Sequence, residues 1–123
     1  GLSYDGPGGF RLVAIFDDIG GLSTRAPVVI SGVKVGQVIS IDLDEDLRAK
    51  VTLDVNPNLE LPIDSSAAIR TAGLLGAQSV ALEPGAEIDA LESGEQLGFT
   101  ESALNLDRLI GNFVHDAGLE DED

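Results

Sequence analysis

Residues 66–83 read SAAIRTAGLLGAQSVALE, two strand-like runs joined by a connection that carries two adjacent leucines between glycines. A hairpin connection is ordinarily polar, because its backbone groups must be solvated. Leu74 and Leu75 therefore need an apolar partner that the loop cannot supply: domain core, another protomer or a lipid chain. One reading has Gly73 and Gly76 shape a tight turn while both leucines fold back as satellite core. Against it, adjacent side chains on an extended segment point to opposite faces, so one core covers only one of them easily. At least one leucine is expected to face something else.

Outward from this hairpin the chain continues as strands. Phe10–Phe16 (FRLVAIF) reads as the first, followed by the turn Asp17-Asp18-Ile19-Gly20-Gly21, and 28–31 as the second. Residues 35–43 are apolar on both parities, which implies a strand covered on both faces or one whose phase a bulge changes. After the acidic turn Asp44-Glu45-Asp46, residues 50–55 alternate cleanly, with Val51, Leu53 and Val55 inward and Thr52 and Asp54 outward. Short strands at 67–71 and Gln78–Glu83 flank the leucine loop, Pro84-Gly85 stops the second, and 97–99 reads as a last short strand. Six or seven short strands between Gly, Pro and Asp turns make a mainly β fold, a small closed barrel or a sandwich.

Residues 101–116 (ESALNLDRLIGNFVHD) break the pattern. Leu106, Leu109, Ile110, Phe113 and Val114 fall at i, i+3, i+4, i+7 and i+8, one stripe of an amphipathic α-helix. Thr100 is read as its N-cap, and Glu101 complements the helix dipole. Gly111 costs about 1 kcal/mol of helix propensity relative to alanine, so packing must compensate. The stripe either covers one end of the barrel or packs against copies of itself. The glycine-rich opening 1–9 reads as a flexible lead-in, and 117–123 (AGLEDED) as a disordered acidic tail.

Composition closes off several classes of function. Seven basic against 22 acidic side chains give a net charge of −15, and no basic cluster exists to neutralise phosphates, so nucleic acid and anionic membrane surfaces are poor partners. With no cysteine there is no thiol chemistry, and no apolar run is long enough to cross a bilayer, so the chain reads as soluble. His115, the single histidine, has no second histidine or cysteine to complete a dyad or zinc site and is read as structural or exposed. Asp42, Asp44 and Asp46 match the opening of an EF-hand loop, but Leu47 and Leu53 stand where the glycine and the bidentate glutamate belong. The GLLG loop lacks the Lys and Ser/Thr of a phosphate loop, and it is apolar where an RNA-binding GxxG loop is polar or basic. No catalytic residue, metal ligand or cofactor is assigned, and the chain is expected not to be an enzyme.

The motifs VAIFDDIGGL (13–22), APVVISGVKVGQV (26–38), the alternating 50–55, LPIDSSAAI (61–69) and GLLG (73–76) occur in an order that resembles the MCE (mammalian cell entry) domain family over about residues 12–110. The resemblance implies a small seven-stranded β-barrel at 10–100, followed by one C-terminal oligomerisation helix at 101–116. It further implies assembly into a homohexameric ring whose axis the Gly73–Gly76 loop faces, with Leu74 and Leu75 lining a hydrophobic pore. The helices would gather beneath the ring, the use the stripe of Leu106, Leu109, Ile110, Phe113 and Val114 leaves open. By the same resemblance the ring belongs to an ABC-type phospholipid transporter, passing lipid between inner and outer membranes with permease, ATPase and a periplasmic lipid carrier as partners. Members begin with a membrane helix that this sequence does not contain, so the chain is expected to be the periplasmic part of a protein anchored to the inner membrane. Ser79 departs from the family, which often carries an aromatic there.

These residues suit lipid passage. Each methylene of an acyl chain gains about 0.8 kcal/mol on leaving water for an apolar lining. Leucines without directional hydrogen bonds should hold chains loosely and discriminate little by head group. Assembly must overcome the repulsion of six copies at −15 each. The alternative is a structural or interaction module that oligomerises through its C-terminal helix and carries no lipid.

Overall fold

In the computed structural model, which describes residue 4 and residues 6–72 and 76–103, the alternation at 50–55 sets the core. Val51, Leu53 and Val55 are fully buried inside a barrel of seven strands: β1 (Phe10–Phe16), β2 (Pro27–Ile30), β3 (Val33–Leu43), β4 (Ala49–Val55), β5 (Ser66–Thr71), β6 (Gln78–Glu83) and β7 (Phe99–Glu101). The strand order is β1-β4-β3-β2-β6-β5-β7, antiparallel except for the parallel pairs β2–β6 and β5–β7. The sheet almost closes on itself. Leu97 N donates to Val13 O at 2.8 Å, Val13 N to Glu95 O at 3.0 Å, and the Thr100 hydroxyl to Ile15 O at 2.7 Å, which occupies the free edge of β1. Leu12, Ala14, Phe16, Val28, Val38, Val80, Leu82 and Leu97 complete the centre.

β3 explains the mixed parity of 35–43. Its register slips between Val38 and Ser40 against β4 and opposite Val28/Val29 against β2, so one strand carries two bulges. Gly36, Val38 and Ile41 face Val55, Leu53 and Val51 across the β3–β4 pair, which changes the inward phase after Ile39. Of the two explanations offered by the pattern, the bulge is the one realised.

Three expectations are corrected. Thr100 and Glu101 are not a helix cap and first turn but the end of β7, paired in parallel with Ala67 and Ala68, so the barrel runs to residue 101. The last strand lies at Phe99–Glu101 rather than 97–99, while Leu97 is core. Asp54, assigned to the solvent side of β4, does point away from the core yet is fully buried. Tyr4, Gly8 and Gly9 of the lead-in cover it, so the described part of 1–9 is tied down rather than flexible. The motif LPIDSSAAI also finds its use. Asp64 accepts the amides of Ala86 and Glu87, both at 3.0 Å, and buried Ser65 accepts that of Gly85 at 3.0 Å, which fastens the β4–β5 crossover to the turn after β6. No helix occurs among the described residues, and the stripe of Leu106, Leu109, Ile110, Phe113 and Val114 lies outside them, as do His115 and the tail.

Candidate functional site

Strand direction decides which loops share an end of the barrel. β1, β3, β5 and β7 run one way and β2, β4 and β6 the other, so Phe16, Leu43, Thr71 and Glu101 finish at the end where Pro27, Ala49 and Gln78 begin. The β5–β6 connection, the 17–26 connection, the acidic β3–β4 turn and the path out of β7 all gather there.

Leu74, Leu75 and Gly73 lie outside the described residues, but the neck that presents them is defined. Ala72 N donates to Ala77 O at 3.2 Å, one step beyond the last β5–β6 pair, Thr71 with Gln78. Gln78 Nε2 donates to Thr71 Oγ1 at 3.1 Å and braces the neck from the side. At Gly76 a Cβ would collide with the carbonyl oxygen of Ala72, so the return from the loop passes too close to the outgoing strand for any side chain.

The exit from β7 is fastened at the same end, to the residues that follow β1. Ser102 Oγ accepts the amides of Asp17 at 3.0 Å and Asp18 at 3.2 Å, and Ala103 N donates to Asp18 O at 2.9 Å. Gly20, at φ 60°, closes the junction: a Cβ there would lie 2.9 Å from Gln78 Nε2 and 3.1 Å from the Ala103 methyl. Gln78 of the hairpin neck and Ala103 of the chain leaving the barrel thus both lie against Gly20. Gln78 Oε1 is buried with no hydrogen-bond partner among the described residues. Gly20 was legible as a turn glycine, but nothing in the local pattern pointed to Gln78 or Ser102, whose partners Gly20, Asp17 and Asp18 lie dozens of residues away.

The acidic turn at this end is organised by its own backbone. Asp44 Oδ1 accepts the amides of Asp46 at 2.9 Å and Arg48 at 2.8 Å, and Arg48 Nη2 reaches Asp44 at 3.3 Å and Asp46 at 3.6 Å. The Arg48 amide is the chief cause that holds the Asp44 carboxyl below the ordinary range. The carboxylates are spent on folding the turn, and no group of three His, Cys, Asp or Glu residues suited to a metal occurs among the described residues. Leu43 and Leu47 flank the turn, 68% and 77% exposed.

With this geometry described, likeness to known proteins carries weight. Residues 8–85 match the family model described as MlaD protein, a range that takes in β1 to β6, the turn after β6 and the GLLG loop. The chain is 42% identical over 111 residues to the intermembrane phospholipid transport system binding protein MlaD of Haemophilus influenzae, covering 86% of this chain and 66% of that protein. It is also 42% identical over 113 residues to the protein of the same name from Escherichia coli K12, covering 86% and 62%. The chain thus spans slightly less than two-thirds of the length of these relatives. A solved chain of the Acinetobacter MlaFEDB complex in an ATP-bound conformation shares the fold, with a TM-score of 0.76 at 24% identity over 85% of this chain and 80% of that one. A barrel with this loop, matched to the family pattern across most of its length, belongs to the MlaD family of MCE-domain proteins.

Proposed function

We propose that this barrel is a lipid-handling ring subunit of an intermembrane phospholipid transport system. The observation that carries the reading is the 42% identity, sustained over 86% of the chain, to two proteins named as the binding component of such a system. The geometry is compatible with it, since the neck of the leucine loop and the path out of β7 lie at one end of the barrel, both beside Gly20. In a hexamer, Leu74 and Leu75 of each copy would line an axial apolar pore, with Gly73 and Gly76 shaping the loop. The helix bearing Leu106, Leu109, Ile110, Phe113 and Val114 would bundle next to it. The protein works in the periplasm on this reading, anchored to the inner membrane. An ABC permease and ATPase sit beside it, and a periplasmic carrier exchanges lipid with it. It binds acyl chains and performs no covalent chemistry.

The test replaces both leucines. In the Leu74→Asn, Leu75→Asn double variant, pore-lining residues would place amides in reach of water, so melting temperature and oligomer mass should scarcely move while lipid transfer fails. Core residues would instead leave unpaired amides buried, at about 1–3 kcal/mol each, with a clear fall in melting temperature. Phospholipid of mixed head groups should be extractable from the unmodified protein and detectable by mass spectrometry. A folded double variant with full transfer would overturn the pore assignment of Leu74 and Leu75, and an extract with no lipid above a matched control would leave the module without lipid as the reading.

A further inference from the structure

The strongest unexplained group in the molecule is Asp54. It stands on the outer wall of β4, directly across from Arg11 of β1 and Gln37 of β3, in a position where an aspartate is ordinarily solvated. Here its carboxylate is fully enclosed and collects four donors. The Tyr4 hydroxyl lies 2.6 Å and the Gly8 amide 2.9 Å from Oδ2, while the Gly9 amide lies 3.0 Å and Arg11 Nε 3.2 Å from Oδ1. A buried carboxylate is tolerated only when its charge and lone pairs are answered, and three of the four answers come from residues ahead of β1.

The segment does more than touch one residue. Tyr4 N donates to Lys34 O at 3.1 Å, and Lys34 Nζ lies 5.7 Å from the centre of the Tyr4 ring. The chain therefore reaches the barrel at β3, crosses the outside of β4, and only then enters β1. Gly8 and Gly9 permit the crossing: Gly9 takes φ 85°, and a Cβ on Gly8 would approach Pro57 Cδ to 3.0 Å. All of this lies toward the start of β1, the end of the barrel opposite the leucine hairpin.

We propose that Tyr4 and residues 6–9 form a strap latched by the Asp54 carboxylate, which fixes the path of the incoming chain along the outer wall and holds it away from the leucine-bearing end. A domain attached through this strap is carried on a stiff joint that begins at Tyr4, instead of swinging from Phe10. The latch holds whether or not the barrel handles lipid, because it depends only on contacts within the chain.

Tyr4 is the single tyrosine and the chain has no tryptophan, so ultraviolet absorbance reads the latch directly. Burial first, and then the hydrogen bond to Asp54, push its phenol up to about 12, against 10.0 for a free side chain; Arg11 opposes and Lys34 stands over the ring. Titration of the intact chain, with circular dichroism to confirm that the barrel stays folded, should show ionisation well above pH 11. In Asp54→Asn the midpoint should fall toward 10, acrylamide quenching of Tyr4 at neutral pH should rise, and the Gly8 and Gly9 amides should exchange at least about tenfold faster. Tyr4→Phe, which keeps the carboxylate, should speed the same two amides with the barrel amides unchanged. An ordinary phenol midpoint in the intact chain, or unprotected Gly8 and Gly9 amides there, would overturn the latch even if Asp54→Asn did not fold. So would an Asp54→Asn protein whose phenol still titrated near 12.

Discussion

Asp54, Asp64 and Asp44 each accept two backbone amides, and their titration bears on how the chain responds to acid. Burial pushes Asp54 up, but the bonds from Tyr4, Gly8, Gly9 and Arg11 outweigh it and hold its carboxyl below the usual range. The amides of Ala86 and Glu87 lower Asp64, and that of Arg48 lowers Asp44. A carboxyl lowered by folding binds fewer protons in the folded than in the unfolded chain. Its contribution is therefore present above the unfolded value of about 3.9 and lost as pH falls through the folded one. Tyr4 acts at the other limit: raised to about 12, its contribution is complete below about 10 and lost as pH rises through the folded value. Denaturation midpoints in about 0.5 M salt, which screens the general repulsion of a −15 chain, should fall below pH 4 and again above pH 10. Asp64→Asn should flatten the acid limb; a limb of unchanged steepness would mean that Asp64 takes no part in it.

Among the elements, β3 bends the sheet. Eleven residues with a bulge toward each neighbouring strand give it the coiling that lets seven strands come round to within a hydrogen bond of closure. Gly36 leaves no room for a side chain between β3 and β4. A Cβ there would collide with the carbonyl oxygen of Asp54 and come within 2.9 Å of Val55 Cγ1 and 3.0 Å of its Cα, and backbone on both sides leaves little to give. Gly36→Ala should therefore destabilise the barrel by about 1–3 kcal/mol, measured by urea unfolding. Because the carbonyl it strikes belongs to Asp54, amide exchange at Gly8 and Gly9 should quicken in parallel. A neutral Gly36→Ala would show that β3 and β4 separate more easily than their register suggests.

At the scale of the whole molecule the barrel has two unlike ends. The strap reaches it at one, while the neck of the leucine hairpin, the acidic turn and the exit from β7 occupy the other, where Gly20 lies against both Gln78 and Ala103. The ring proposed above would bring this end of each copy toward one axis. If the stripe holds copies together, Leu109→Ser with Phe113→Ser should reduce the mass measured by light scattering at moderate salt and leave the β circular dichroism in place. Equal loss of assembly and barrel signal would make the stripe part of the core. Monomer mass for the unmodified chain across micromolar concentrations would count against the ring itself.

The alternation of 50–55 and the turn residues were enough for six or seven short strands in a barrel or a sandwich, because side-chain parity and turn chemistry are local properties that the chain states residue by residue. The order of five motifs added, by resemblance, the family and its seven-stranded barrel. The parity conflict in 35–43 left a doubly covered strand or a bulge, and the register decided for the bulge. What local pattern could not express were pairings across long separations. Asp54 looked solvated because its cover comes from Tyr4, fifty positions away. Thr100 looked like a helix cap because a short threonine-glutamate step serves a cap or a strand end equally well. Parallel pairing with β5 and the bond to Ile15 O decided for the strand. That the neck of the leucine hairpin and the exit from β7 share an end likewise depends on strand order, and strand order is set by which edges find each other as the sheet closes.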